Sequence, residues 1–119
     1  MNFPPFDFEF SIRINKDMNA CFGPGLCELL KCIQKTSSVK AAAMEMKMSH
    51  GRALKKIQIS ESLLGYPLLI RQIGGIGGGY SHLTDTACRL IDQYTKLEAE
   101  TNLFVANYMK EHFVGILNK

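Results

Sequence analysis

Between positions 49 and 56 the chain places Ser49, His50, Arg52, Lys55 and Lys56, with three permanent cations in five residues. An arginine on an exposed helix face can donate two parallel hydrogen bonds to a guanine edge, and lysines neutralise phosphates. Ser49 and His50 open the segment, where the free N–H groups and dipole of a helix attract phosphate; Ser49 serves equally as a plain cap. The bland alternative is a solvated basic face, and charge alone does not choose between them. Lys40 and Lys47, shortly upstream, suit contacts to a polyanion backbone or an ordinary surface.

The second chemical feature is the run Gly74-Gly75-Ile76-Gly77-Gly78-Gly79. A dinucleotide fingerprint needs glycines at offsets zero, two and five before a helix, and no register of this run supplies them. A Walker loop needs lysine and Ser/Thr after its last glycine, whereas Tyr80 and Ser81 follow here. The run suits a hairpin tip, where Gly75 and Gly77 permit positive φ and a close backbone approach to phosphate. Arg71 and Gln72, just ahead of it, become minor-groove or backbone contacts. Cys21, Cys27, Cys32 and Cys88 contain no CxxC pair, and no Cys/His spacing matches a zinc finger. They read as reduced thiols packed in the core, with a metal or redox sensor as the alternative. His50, His82 and His112 fall on separate elements with no serine or carboxylate arranged beside them. Without a nucleophile–base pair or a carboxylate dyad, catalysis has no support, and neither a metal nor another cofactor is expected.

A chain of 119 residues, 46% hydrophobic and 21% charged, suits one globular domain and is too apolar for a disordered one. No apolar run approaches the roughly 20 residues that cross a bilayer, and no membrane partner is expected. The Met1-Asn2-Phe3-Pro4-Pro5 start carries no export pattern, so the cytoplasm is the expected compartment. The net charge of +3 is unevenly spread. From Lys31 to Gln72 eight bases meet only Glu45 and Glu61, an excess of +6, while the remaining six bases and nine acids net −3. A basic middle between acidic ends points to a polyanion.

The elements that must position these residues follow from periodicity. Phe6, Phe8, Phe10, Ile12 and Ile14 alternate with polar residues and predict a strand with one buried face. Asn15 to Asn19 supply a turn, and Ala20-Cys21-Phe22 a short return strand. Gly23-Pro24-Gly25 suits a helix start, and Leu26, Leu29, Leu30 and Ile33 then form one helix face to about Lys35. Thr36-Ser37-Ser38 ends that helix and caps a second one, with Val39, Ala42, Ala43 and Met46 inward. Ser49 caps a third, with Ala53, Ile57 and Leu64 inward, making a helix-turn-helix whose second helix is basic. Leu68 to Ile73, the glycine tip and Tyr80 to Leu83 then describe a wing. Thr84 caps a last helix from Asp85 to about Val114, whose Leu90, Tyr94, Leu97, Phe104 and Tyr108 make a heptad-like seam.

Gly23-Pro24-Gly25 before a leucine-rich helix, Ser38-Val39-Lys40-Ala41-Ala42-Ala43, and Met48-Ser49 opening the basic helix form a recognisable order. With Pro67-Leu68, the Gly74–Gly79 run and Leu83-Thr84, it resembles the N-terminal domain of ModE-type molybdate-responsive regulators, from about Phe6 to Tyr94. That resemblance implies a winged helix-turn-helix related to the DNA-binding domain of LysR-type regulators. It implies that the helix after Met48-Ser49 enters the major groove, that the wing lies on the backbone, and that the long C-terminal helix makes a dimer. Where the family has an aromatic after the serine and a tryptophan two residues past the arginine, this chain has His50 and Leu54. Different base-reading residues are therefore expected. The family's molybdate-binding domains lie beyond the matched region, so molybdate is not an expected partner.

The expected fold is thus α+β and mostly helical. It divides into N-terminal strands (1–22), a winged helix-turn-helix (23–83) and a long dimerisation helix (84–119) within one domain. The expected function is sequence-specific binding of double-stranded DNA by a homodimeric, non-enzymatic transcription regulator. The alternatives are a winged-helix protein-interaction module and a thiol- or metal-responsive DNA-binding regulator.

Overall fold

Three of the helices begin where a small polar side chain satisfies a free N–H group. In the computed structural model, which describes residues 5–72 and 80–119, α1 (Pro24–Thr36) follows extended Gly23 with proline in its first turn. It stops at left-handed Ser37, whose N–H bonds the Ile33 carbonyl at 2.7 Å. Ser38 then caps α2 (Val39–Glu45) through the Ala41 N–H, and Ser49 caps α3 (His50–Leu64) through the Arg52 N–H. Gly65 ends α3 at φ +86°, a conformation that costs glycine little. Two short strands, β3 (Leu69–Gln72) and β4 (Tyr80–Leu83), pair antiparallel, and Thr84 caps α4 (Asp85–His112). One further turn, α5 (Val114–Leu117), closes the chain. The architecture is the expected α+β, mostly helical winged helix-turn-helix with an N-terminal hairpin and a long C-terminal helix. No helix among the described residues is long and apolar enough to cross a membrane.

The core lies where α1, α2, α3, the base of the wing and the start of α4 meet. Leu29, Leu30, Ile33, Ile57 and Leu68 are sealed there, and Ala42, Ala43, Ala53 and Ala87 let the backbones approach closely. The helix-turn-helix angle is set by the turn Met46 to Ser49, in which Lys47 takes φ +56°. The wing is tied to this body through its backbone. The Ser81 N–H donates to the Ser37 carbonyl at 2.9 Å, and the Thr84 N–H to the Leu68 carbonyl at 3.0 Å.

The N-terminal segment departs from expectation. Apart from an isolated bridge at Phe6, the strand expected over Phe6–Ile14 joins a ladder only at its end, where β1 (Ile14–Lys16) meets β2 (Asn19–Phe22) across the left-handed pair Asp17 and Met18. This tight two-residue turn fixes the register and leaves residues 7–13 outside the ladder. They run extended instead, with Phe8, Phe10 and Ile12 half-buried and Asp7, Glu9, Ser11 and Arg13 exposed. Phe8 and Phe10 lie with Thr95, Glu98, Ala99 and Asn102 of α4, and the Tyr94 hydroxyl donates to the Ile12 carbonyl at 2.6 Å. The alternation therefore records a half-buried extended segment on a helix, without a strand partner for most of its length.

Candidate nucleic-acid interface

α3 buries Ala53, Ile57 and Ser60 and turns its remaining surface outward. Lys55 falls opposite the buried stripe. Arg52 and Lys56, four residues apart, share one flank, and His50 lies on the other; all four are exposed. On the His50 flank a cleft of about 240 Å³ brings together Lys40 from α2, His50 and Leu54 from α3, and Arg71, Gln72 and Tyr80 from the wing. Four expected contacts, Lys40, His50, Arg71 and Gln72, thus line one cleft although 32 positions separate the first from the last. Lys47 stands apart in the turn, exposed. Ser49 is committed as the cap of α3, its Oγ accepting from the Arg52 N–H at 3.1 Å. Gly75 and Gly77 lie outside the described residues.

The wing's register sorts its side chains. Leu69, Arg71, Ser81 and Leu83 project to the helix side, and Ile70, Gln72, Tyr80 and His82 to the other. Leu69 and Ser81 are buried, while Tyr80 and His82 stack edge to face at 4.9 Å on the outer side. Arg71 and Gln72, adjacent in sequence, therefore leave the strand in opposite directions.

The cations of this surface lack an internal counterion, as do Arg13, Lys16, Arg89, Lys110 and Lys119 elsewhere among the described residues. Among the described residues, Lys31 pairs with Glu28, Lys35 with Glu45 and Lys96 with Asp92. Lys40, Lys47, Arg52, Lys55, Lys56 and Arg71 have no carboxylate within ion-pair distance, measured over those same residues. Six cations gathered on the helix-turn-helix and wing with no internal counterion make a field that a polyanion neutralises. The one acid of α3 is turned to structure: Glu61 Oε2 accepts from the Leu68 N–H at 2.7 Å and the Leu69 N–H at 3.3 Å.

Two of the four thiols are placed for packing, while Cys32 and Cys88 are only half-buried. Cys21 and Cys27 are buried, all four cysteines are free, and burial pushes the thiols of Cys27 and Cys32 up, which lowers their thiolate fraction. Among the described residues no three His, Cys, Asp or Glu side chains converge as metal ligands would.

Sequence reasoning missed the residues that pin the flanking hairpins. Ser60 donates to the Cys21 carbonyl at 2.6 Å, and Cys21 is the extra residue where the β1–β2 register slips. A bulge frees a carbonyl from the ladder, and Ser60 satisfies it. The signal was a serine in the buried stripe of α3, where a polar side chain needs a partner. The expected C-terminal seam also divides. Tyr94 is buried against Phe22 at 5.1 Å and Leu90 packs on the core, so both serve the chain's own interior. Leu97, Phe104 and Tyr108 stay exposed, at 45%, 68% and 48%.

Fold and surface together define a winged helix-turn-helix protein with a basic surface whose cations lack ion-pair partners among the described residues. No family model matches the chain. It is 30% identical over 89 residues to the molybdenum transport protein ModE of Azotobacter vinelandii, covering 75% of this chain and 33% of that one. It is 37% identical over 90 residues to the transcriptional regulator ModE of Haemophilus influenzae, covering 76% of this chain and 35% of that one. A third relative, the molybdenum-pterin-binding protein MopB of Rhodobacter capsulatus, is 33% identical over 82 residues, 69% of this chain and 30% of its own. These matches relate the chain to ModE-type proteins, and it spans about a third of the length of the curated relatives it matches.

Proposed function

We propose that these residues form the DNA-binding and dimerisation unit of a transcription regulator. α3 enters the major groove of duplex DNA, with Arg52 and Lys55 toward the bases and nearest phosphates. The cleft of Lys40, His50, Arg71 and Gln72 meets the backbone on one flank, together with the glycines of the wing tip. The observation that carries this reading is the set of six exposed cations without counterions on the helix-turn-helix and the wing. A related protein bearing the name of a transcriptional regulator supports it. Two copies join through Leu97, Phe104 and Tyr108, placing two α3 helices about 34 Å apart on one side of the duplex. Molybdate has no role for these residues in this reading.

Anisotropy titrations of labelled duplexes at stepped salt concentrations test it. Affinity should fall with a slope of about −0.9 per neutralised phosphate. Arg52→Ala should flatten sequence preference, whereas Lys55→Ala should weaken all sequences alike. Absence of duplex binding at micromolar protein and low salt would overturn the reading. Millimolar molybdate, with sulfate as control, should leave Tm unchanged, since a specific ligand stabilises by RT ln(1 + [L]/Kd).

A further inference from the structure

On the flank of α3 away from the wing, the β1–β2 hairpin, the start of α1 and α3 enclose an open groove of about 550 Å³. Arg13 and Asn19 line its hairpin side and Lys56, Ile59 and Ser60 its α3 side. The Lys56 ammonium reaches across to α1, where a Cβ added at Gly25 would meet Nζ at 3.0 Å. Arg13 packs its stem beside Gly23 and donates to Ser11 Oγ at 2.6 Å. Lys16, directly opposite Asn19 in the ladder, adds a third exposed cation at the hairpin end. Neither Arg13, Lys16 nor Lys56 has an ion-pair partner among the described residues, and the first turn of α1 supplies no acid.

We propose that the β1–β2 hairpin is a second DNA-contacting arm, in which Arg13, Lys16 and Lys56 hold the phosphate backbone on the side of α3 opposite the wing. The inference rests on the DNA-binding reading and extends it to Arg13 and Lys16. The groove continues the Arg52 and Lys56 flank of α3, so a duplex seated on that helix brings one strand of phosphates alongside it. Exposed cations favour this occupant over a small anion. A single solvated ion pair is worth little, whereas a polyanion gains from every counterion it releases. The hairpin is held rigidly for the task by the Ser60 to Cys21 bond and by the Tyr94 to Ile12 bond.

The test compares the full chain with Arg13→Gln/Lys16→Gln and with Asn19→Lys, by duplex titration over a salt series and hydroxyl-radical footprinting. The double variant should make the salt slope shallower by about 1.8, two phosphates at 0.9 each, and shorten backbone protection on one flank without changing sequence preference. Asn19→Lys should bind more tightly and steepen the slope. If both variants keep the wild-type slope and footprint while Arg52→Ala still loses preference, the arm is refuted and the DNA-binding reading stands. If the wild-type chain does not bind duplex at all, both fall.

Discussion

In the proposed reading Lys47 serves two opposed demands. Its φ of +56° places a β-carbon-bearing residue in the left-handed region, at a cost of about 1–3 kcal/mol that glycine would largely avoid. The charge at that exposed corner is what a phosphate contact needs. Lys47→Gly should therefore raise stability by about 1 kcal/mol, after the extra chain entropy of glycine, and still weaken duplex binding. Denaturant melts and titrations read the two effects separately; a variant that loses stability would show that the turn relaxes away from this geometry. At this scale the basic residues were legible because charge sorts them, and Ser49 because caps are local. Ser60, Glu61 and Tyr94 were not, since each bonds a backbone group 7 to 82 positions away. The role of such a residue depends on the fold that brings the partner to it.

At the scale of elements, one carboxylate holds the entry to the wing. Glu61 accepts two N–H groups at the entry to β3, and Leu68 beneath it is fully buried. Glu61→Ala leaves those donors without their partner and should cost about 1–3 kcal/mol. It should also speed hydrogen exchange at the Leu68 and Leu69 amides, with α1 unaffected. Unchanged exchange there would mean that the strand pairing with β4 suffices. Helix starts and stops were readable, because Ser38, Ser49, Gly65 and Thr84 act on their own neighbours. The Phe6–Ile14 segment was misread as a strand for the converse reason. Alternation specifies which side chains are covered, and either a strand or a helix can cover them. Here α4 covers Phe8, Phe10 and Ile12 while Phe6 and Ile14 stay exposed. The period therefore holds only over the middle of the segment, and most of the ladder is missing.

Across the molecule, seven of the fourteen exposed large apolar side chains among the described residues lie from Leu97 of α4 to Leu117 of α5. Leu97, Leu103, Phe104, Tyr108 and Ile116 are all at least 45% exposed, and Tyr108 lies within aromatic contact of both Phe104 and Phe113. A second copy would cover this stripe and set the two α3 helices at a fixed distance. Changing Leu97 and Phe104 both to Glu should convert a dimer into a folded monomer and weaken duplex binding, with light scattering and circular dichroism as readouts. A native monomer at tens of micromolar would exclude the dimer.

A selection of bound duplexes from a random library tests DNA recognition and two-fold assembly in one measurement. The account predicts enrichment of an inverted repeat with half-sites centred about 10 base pairs apart, lost in Arg52→Ala. Recovery of no sequence above the input pool at low salt would contradict it.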